Sequence, residues 1–383
     1  MGNLKETTKK YSYNDVAIQP AIISEIEHRM ECNPFDENGK LPLFTAPMDT
    51  VVNKNNFALF EKEGINPILP RTETIHDRLF YACNSKWAAF SLQEFEQYFI
   101  DGNIDEYYHE DKKKKVLIDI ANGHVAILYT LVKKAKRKYG SNIDIMVGNI
   151  ANPETYRMCV AAKCYGVRVG IGGGCGCLSS SNLGVHYPIA SLISEINEIK
   201  KEFISQGADA NDLPKIIADG GVRNYSDIIK AIALGADYVM CGSIFAKMLE
   251  SAAKKSHQLD CYEKIYKLDD GWYGDYTDNF FEELKSNCTE KCAKNKHFIG
   301  EINAEFYGMA SRQGQIAMKG KKTHTSEGVL KILPVEYTMS TWVENFIDYI
   351  RSAMSYTNAR ELSSLKNANV VIISDNTYNS INK

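Results

Sequence analysis

The chain of 383 residues has no apolar run long enough to cross a membrane, and its opening stretch MGNLKETTKK does not read as a secretory signal. No sign of charge prevails. With 45 Lys and Arg against 48 Asp and Glu, the formal net charge is −3, which argues against electrostatic capture of nucleic acid or an anionic membrane. Glu6 stands where an N-myristoylation start would need Ser or Thr. The ten cysteines are scattered, several inside apolar runs such as Val239-Met240-Cys241, so they do not spell a disulfide framework. That usage suits buried thiols in a reducing cytosol. Internal repeats and low-complexity domains are also missing. These absences leave a cytoplasmic enzyme able to bury a large core, expected as a single domain over residues 1–383.

What is present is an alternation of short apolar runs and amphipathic segments. Strands are expected near Leu41–Ala46, Ile65–Leu69, Trp87–Leu92, Val116–Ile120, Asp144–Val147, Tyr165–Val169, Ile216–Ala218 and Tyr238–Met240. Helical spacing recurs between them, as in Ala126–Tyr139 and Ser226–Leu234. Eight strand–helix units predict an α/β fold, a (β/α)8 TIM barrel, rather than an open doubly wound sheet. Residues 250–300 break the alternation and read as an insertion near the C-terminal end of the barrel. Residues 312–326 (RQGQIAMKGKKTHTS) are polar and rich in Gly and Lys, as a mobile flap over an active site would be.

In such barrels the chemistry sits at the C-terminal ends of strands, and the candidate residues fall there. Met48-Asp49 follows the first strand, Asn122-Gly123 the fourth, VGIGGGCGCLS the sixth, Asp219-Gly220-Gly221 the seventh and Gly242-Ser243 the eighth. Three glycines before Cys175 and Cys177 let a backbone fold tightly and approach a ligand. A thiol on that loop is placed to attack a bound electrophile, although either cysteine could be a small buried hydrophobe.

At these residues the chain resembles the IMP dehydrogenase/GMP reductase family. YSYNDVAIQP, PLFTAPMDTV, IDIANGH, MVGNI, VGIGGGCGC, IIADGGVRNYSDIIKAIALGADYVMCGS, EFYGMAS, SEG and IRSAMSYT are similar to family motifs and follow the family order. The regulatory domains that many of the dehydrogenases carry have no counterpart between strands two and three. FYGMAS and the segment from Ile350 look like the reductase branch. Residues 312–326 hold Arg312 but no tyrosine, whereas the dehydrogenase uses an Arg-Tyr pair to activate water.

The resemblance implies GMP reductase activity, an NADPH-dependent conversion of GMP to IMP and ammonia through a cysteine thioimidate. The alternative is an NAD-dependent IMP dehydrogenase lacking regulatory domains, and a nucleotide-binding sensor is a third reading. Cys177 would attack the purine C2, with Ser179 and Glu327 relaying a proton to the departing amine. Cys175 stands where the family usually has a phosphate-binding serine. Asp219 would accept the ribose hydroxyls, while Gly220, Gly221, Gly242, Ser243 and Gly328 belong to the substrate site. Gly308, Met309 and Ala310 would bring backbone groups to the purine. NADPH contacts would come from Asp119, Ile120, Ala121, Asn122, Arg29, Arg71, Arg351 and Ser352. A monovalent cation, K+, would sit on carbonyls of Gly172, Gly174 and Cys177. Family members form tetramers, so a homotetramer is expected. Cys261, Cys288, Cys292 and His297 superficially offer zinc ligands, but their spacing is not a usual zinc-finger pattern.

Overall fold

In the computed structural model, residues 9–102, 104, 107, 112–175, 178–258, 265–267, 302–321, 325–326 and 328–374 are described. A short strand, β1 (Val16–Ile18), precedes the barrel. Eight parallel strands follow: β2 (Leu43–Thr45), β3 (Ile68–Leu69), β4 (Trp87–Phe90), β5 (Lys114–Asp119), β6 (Ile143–Ile150), β7 (Gly166–Val169), β8 (Lys215–Asp219) and β9 (Tyr238–Cys241). Each neighbours the next in chain order, and β2 pairs with β9. The ring closes between β2 and β3 through a bridge of Phe44 with Asn66, where Thr45 N donates to Asn66 O at 3.0 Å. The expected (β/α)8 TIM barrel is therefore the fold.

Helices fill the outer layer: α1 (Phe57–Lys62), α2 (Ile75–Cys83), α3 (Leu92–Phe95), α4 (Ala126–Tyr139), α5 (Thr155–Ala161), α6 (Ser179–Leu183), α7 (Ile189–Ser205), α8 (Tyr225–Ala233) and α9 (Ser243–Ala246). After α9 the chain leaves the barrel. It forms an antiparallel sheet of β10 (Lys255–Gln258), β11 (Ile265–Lys267), β12 (Ile302–Phe306) and β13 (Lys331–Pro334), with α10 (Arg312–Lys319) before β13. The chain then returns through α11 (Met339–Tyr356) and α12 (Leu362–Leu365), and β14 (Val370–Ile372) pairs with β1. No described helix is long and apolar enough to cross a membrane.

The expected strands are all present, with ends shifted by no more than three residues. Of the expected insertion at 250–300, residues 259–264 and 268–301, including all the superficial zinc ligands, lie outside the described set. Among the described residues no cluster of three His, Cys, Asp or Glu forms a metal site. Within the 312–326 segment, expected as a flap, Arg312–Lys319 forms α10, and residues 322–324 lie outside the described set. Ser311 Oγ accepts from Gly314 N at 3.0 Å as the N-cap, and Gly320 ends the helix at φ +68°.

Two apolar bodies hold the molecule. The larger packs helices on the outside of the strands; the smaller fills the barrel with Phe44, Trp87, Leu117, Met146, Ile217 and Met240. Aromatic edges interlock there, with Phe44 5.9 Å from Trp87 and 5.1 Å from Tyr238 between ring centroids.

On the outside of the sheet, buried Arg78 has a charged partner. Arg78 forks onto Glu94 with contacts of 2.8 and 3.0 Å, joining α2 to α3, and Ser91 N donates to the same carboxylate at 2.7 Å. Burial by itself would raise the Glu94 pKa, but these donors and the Arg78 charge bring it down to about 2. The carboxylate therefore stabilises the fold above its unfolded pKa of about 4.3, and that contribution disappears as pH falls toward 2. Glu94→Gln is expected to cost about 3 kcal/mol in urea unfolding at pH 7 and about half that at pH 3. An equal deficit at both values would show that the ion pair is not its source.

Candidate active site

Period-two alternation carries the barrel interior up to the site. Leu117 and Ile217 point into the barrel, so Asp119 and Asp219, two residues on, face inward at its C-terminal rim. Arg168 follows Gly166 on β7 in the same way. Room for it comes from Gly148, where a Cβ would lie 2.5 Å from Arg168 Cβ. Arg168 Nη1 donates to Asp119 Oδ1 at 2.5 Å, while Nη2 and Nε reach Asp219 Oδ2 at 2.8 and 3.2 Å. Burial disfavours the guanidinium charge, but the two carboxylates outweigh it and raise the pKa. Asn149 Nδ2 adds a bond to Asp219 Oδ2 at 2.6 Å and another to Gly170 O at 2.9 Å. Asp219 Oδ2 is thus occupied, and among the described residues Oδ1 accepts no hydrogen bond.

The glycine loops after β7 and β8 lie backbone to backbone. Gly221 N donates to Gly173 O at 2.8 Å. At Gly170, with φ +131°, a Cβ would come within 2.2 Å of Asp219 O, so only glycine permits this approach. Gly172 and Gly174 line the cavity; Gly172 O accepts from Ser180 Oγ at 3.1 Å, so one carbonyl of the expected cation set already has a partner. Cys175 is exposed at the rim. Ser179 opens α6. Gly176, Cys177 and Glu327 lie outside the described residues.

The excursion after α9 supplies the opposite wall. Gly308, Met309 and Ala310 line the cavity. They are clamped by α10, where a Cβ on Gly314 would fall 2.7 Å from Gly308 O, and Gln315 Nε2 donates to Ala310 O at 3.2 Å. Gly328 bridges to Ser311, and Ser326 Oγ donates to its carbonyl at 2.6 Å. Tyr307 OH donates to Asp49 Oδ2 at 3.0 Å, tying this wall to the loop after β2. Burial raises the Asp49 pKa, and Tyr307 opposes that shift.

Gly220, Gly221, Gly242 and Ser243 also border the cavity, whose volume is about 260 Å³, near the lower edge of small-molecule sites. Asp119 and Ala121 face it, whereas Ile120 bonds to the Gly148–Asn149 backbone and Asn122 Oδ1 accepts from His124 N at 3.1 Å. Arg71 stays close, its Nη1 3.7 Å from Asp119 Oδ2. The remaining expected cofactor residues are elsewhere within the chain. Arg29 pairs with Asp348 at 3.0 Å and reaches Ser352 at 3.4 Å, and Arg351 Nε donates to Cys32 O at 3.3 Å. Sequence reasoning missed Arg168, Asn149 and the Asp49–Tyr307 pair. Arg168 did leave a signal, as the one charge in the apolar run YGVRV.

Fold and site together define a (β/α)8 barrel with a rim cavity of glycine amides, paired carboxylates and an exposed thiol. Residues 106–269 match the IMP dehydrogenase / GMP reductase domain. The chain is 25% identical over 381 residues to GMP reductase of Streptococcus equi subsp. zooepidemicus (strain H70), covering 96% of this chain and 97% of that protein. It is 24% identical over 387 residues to GMP reductase of Streptococcus suis (strain 05ZYH33), covering 97% and 98%. The chain thus resembles the IMP dehydrogenase/GMP reductase family and is similar over nearly its full length to proteins named GMP reductase.

Arg168→Met would leave two carboxylates facing each other without their shared cation. It is expected to cost about 3–5 kcal/mol of stability, and Arg168→Lys less, because lysine keeps the charge although its ammonium cannot fork onto both carboxylates. Denaturant titration of both variants checks this; parent-like stability of Arg168→Met would remove the bridge from the account.

Proposed function

We propose that this protein is a GMP reductase, converting GMP to IMP and ammonia with NADPH as reductant. The observation that carries the reading is the convergence of Asp219, the glycine amides of the β7, β8 and β9 loops and the Gly308–Ala310 segment on one cavity. A carboxylate with one open oxygen suits ribose hydroxyls, and backbone amides suit a phosphate. The purine would then lie toward Met309, with its C2 edge offered to the cysteine loop.

By resemblance, Cys177 is the nucleophile. Its thiolate adds to C2, and the 2-amino group departs as ammonia once protonated. A proton must reach that nitrogen because it leaves poorly as an anion, and Ser179 and Glu327 are the groups proposed to relay it. Bound NADPH would supply the hydride that reduces C2, after which the C2–S bond breaks and IMP is released. Asp119, Ala121 and Arg71 are the residues this reading places beside the nicotinamide; Arg71 holds Asp119 through Nη1, and its buried Nε has no partner among the described residues. Arg168 joins Asp119 to Asp219 and so holds the cofactor and ribose sides in one geometry. The dehydrogenase alternative is disfavoured by the absence of a tyrosine from 312–326.

The test is absorbance of the reduced nicotinamide with GMP plus NADPH, against IMP plus NAD. Loss of NADPH with stoichiometric ammonia is expected; NADH formation from IMP would assign the dehydrogenase instead. Cys177→Ala is expected to abolish turnover while GMP affinity stays within about threefold, by the logic that covalent chemistry and binding are separable. Full activity in that variant would remove the covalent mechanism.

A further inference from the structure

The cavity wall carries two carboxylates, Asp119 and Asp219, and one guanidinium, Arg168, among the described residues, a formal charge of −1. Arg168 is committed to both carboxylates. A nucleoside monophosphate would bring about −1.5 to −2 more at pH 7. Glycine amides offer it donors but no net charge, so the wall by itself does not balance a dianion.

A cation stands at the rim. Lys331 Nζ lies 3.4 Å from Cys175 Sγ, and among the described residues no carboxylate comes within ion-pair distance of it. Three contacts locate it on the phosphate side rather than beside Asp219. Cys175 follows Gly173 and Gly174, which abut Gly220 and Gly221. The β12–β13 register sets Lys331 opposite Phe306. The Phe306 ring in turn lies 3.9 Å from where a Gly242 Cβ would be. The loops after β7, β8 and β9 therefore meet on the side of the cavity where Lys331 touches Cys175 at the rim.

The geometry points to Lys331 as the charged ligand of the substrate's 5′-phosphate, exchanging its contact with the Cys175 thiol for phosphate oxygens when nucleotide binds. This rests on the nucleotide reading above and adds the residue that distinguishes nucleotide from nucleoside. The side chain is exposed at a strand start, so its replacement should not disturb the core.

Isothermal titration of the full chain with GMP and with guanosine tests it. Lys331→Met is expected to weaken GMP binding roughly tenfold to a hundredfold, the loss of one charge-assisted hydrogen bond, and to leave guanosine within about twofold. Lys331→Arg should restore most of the GMP affinity. A Lys331→Met protein that binds GMP as the parent does overturns the assignment alone, and so does an equal loss for GMP and guanosine. A parent protein with no affinity for GMP overturns it together with the nucleotide reading.

Discussion

The site depends on one buried cation shared between two carboxylates. Arg168 lies within the rim of the barrel and would be costly there alone. Asp119 and Asp219 neutralise it from strands on either side, and Asn149 completes the shell around Asp219. The arrangement fixes three strand ends relative to one another without a ligand. It also decides which oxygens remain for chemistry, because Asp219 Oδ2 is occupied while Oδ1 is open. A guanidinium suits the position since its planar fork can serve two acceptors at once.

Around that bridge, backbone rather than side chains forms the binding surface. The glycine loops after β7 and β8 touch through main-chain atoms, and Gly170 passes so near Asp219 O that no other residue fits. Main-chain contacts between the loops set these amides in place ahead of any ligand, and preorganised donors lose less entropy on binding. The far wall is built differently. It comes from the excursion after β9 and is held by α10 and by the long-range Asp49–Tyr307 bond.

Much of the barrel was legible from the chain alone. Buried strands read as apolar runs and surface helices as three- and four-residue spacing; α4 (Ala126–Tyr139) has the expected bounds. Residues at the rim were legible too, since glycine beside a polar residue after an apolar run marks a strand end, and several such ends border the cavity. Helix α10 was obscured because its Gly and Lys content mimics a flap, and its reason for glycine, close packing of Gly314 on Gly308–Met309, is a tertiary contact. Arg29, Arg351 and Ser352 looked like part of the site from motif resemblance, yet one chain places them together on the α11 flank.

Periodicity and glycine placement determined the architecture and which loops share the rim, because burial and backbone freedom are local properties that each residue carries with it. Partnership is not local. That Arg168 would satisfy Asp119 and Asp219 at once, that Tyr307 would reach Asp49 across 258 positions, and that Lys331 would arrive beside Cys175 are consequences of barrel closure and sheet register. Electrostatic pairing depends on distance in space, and only the folded chain brings those groups within a few ångströms.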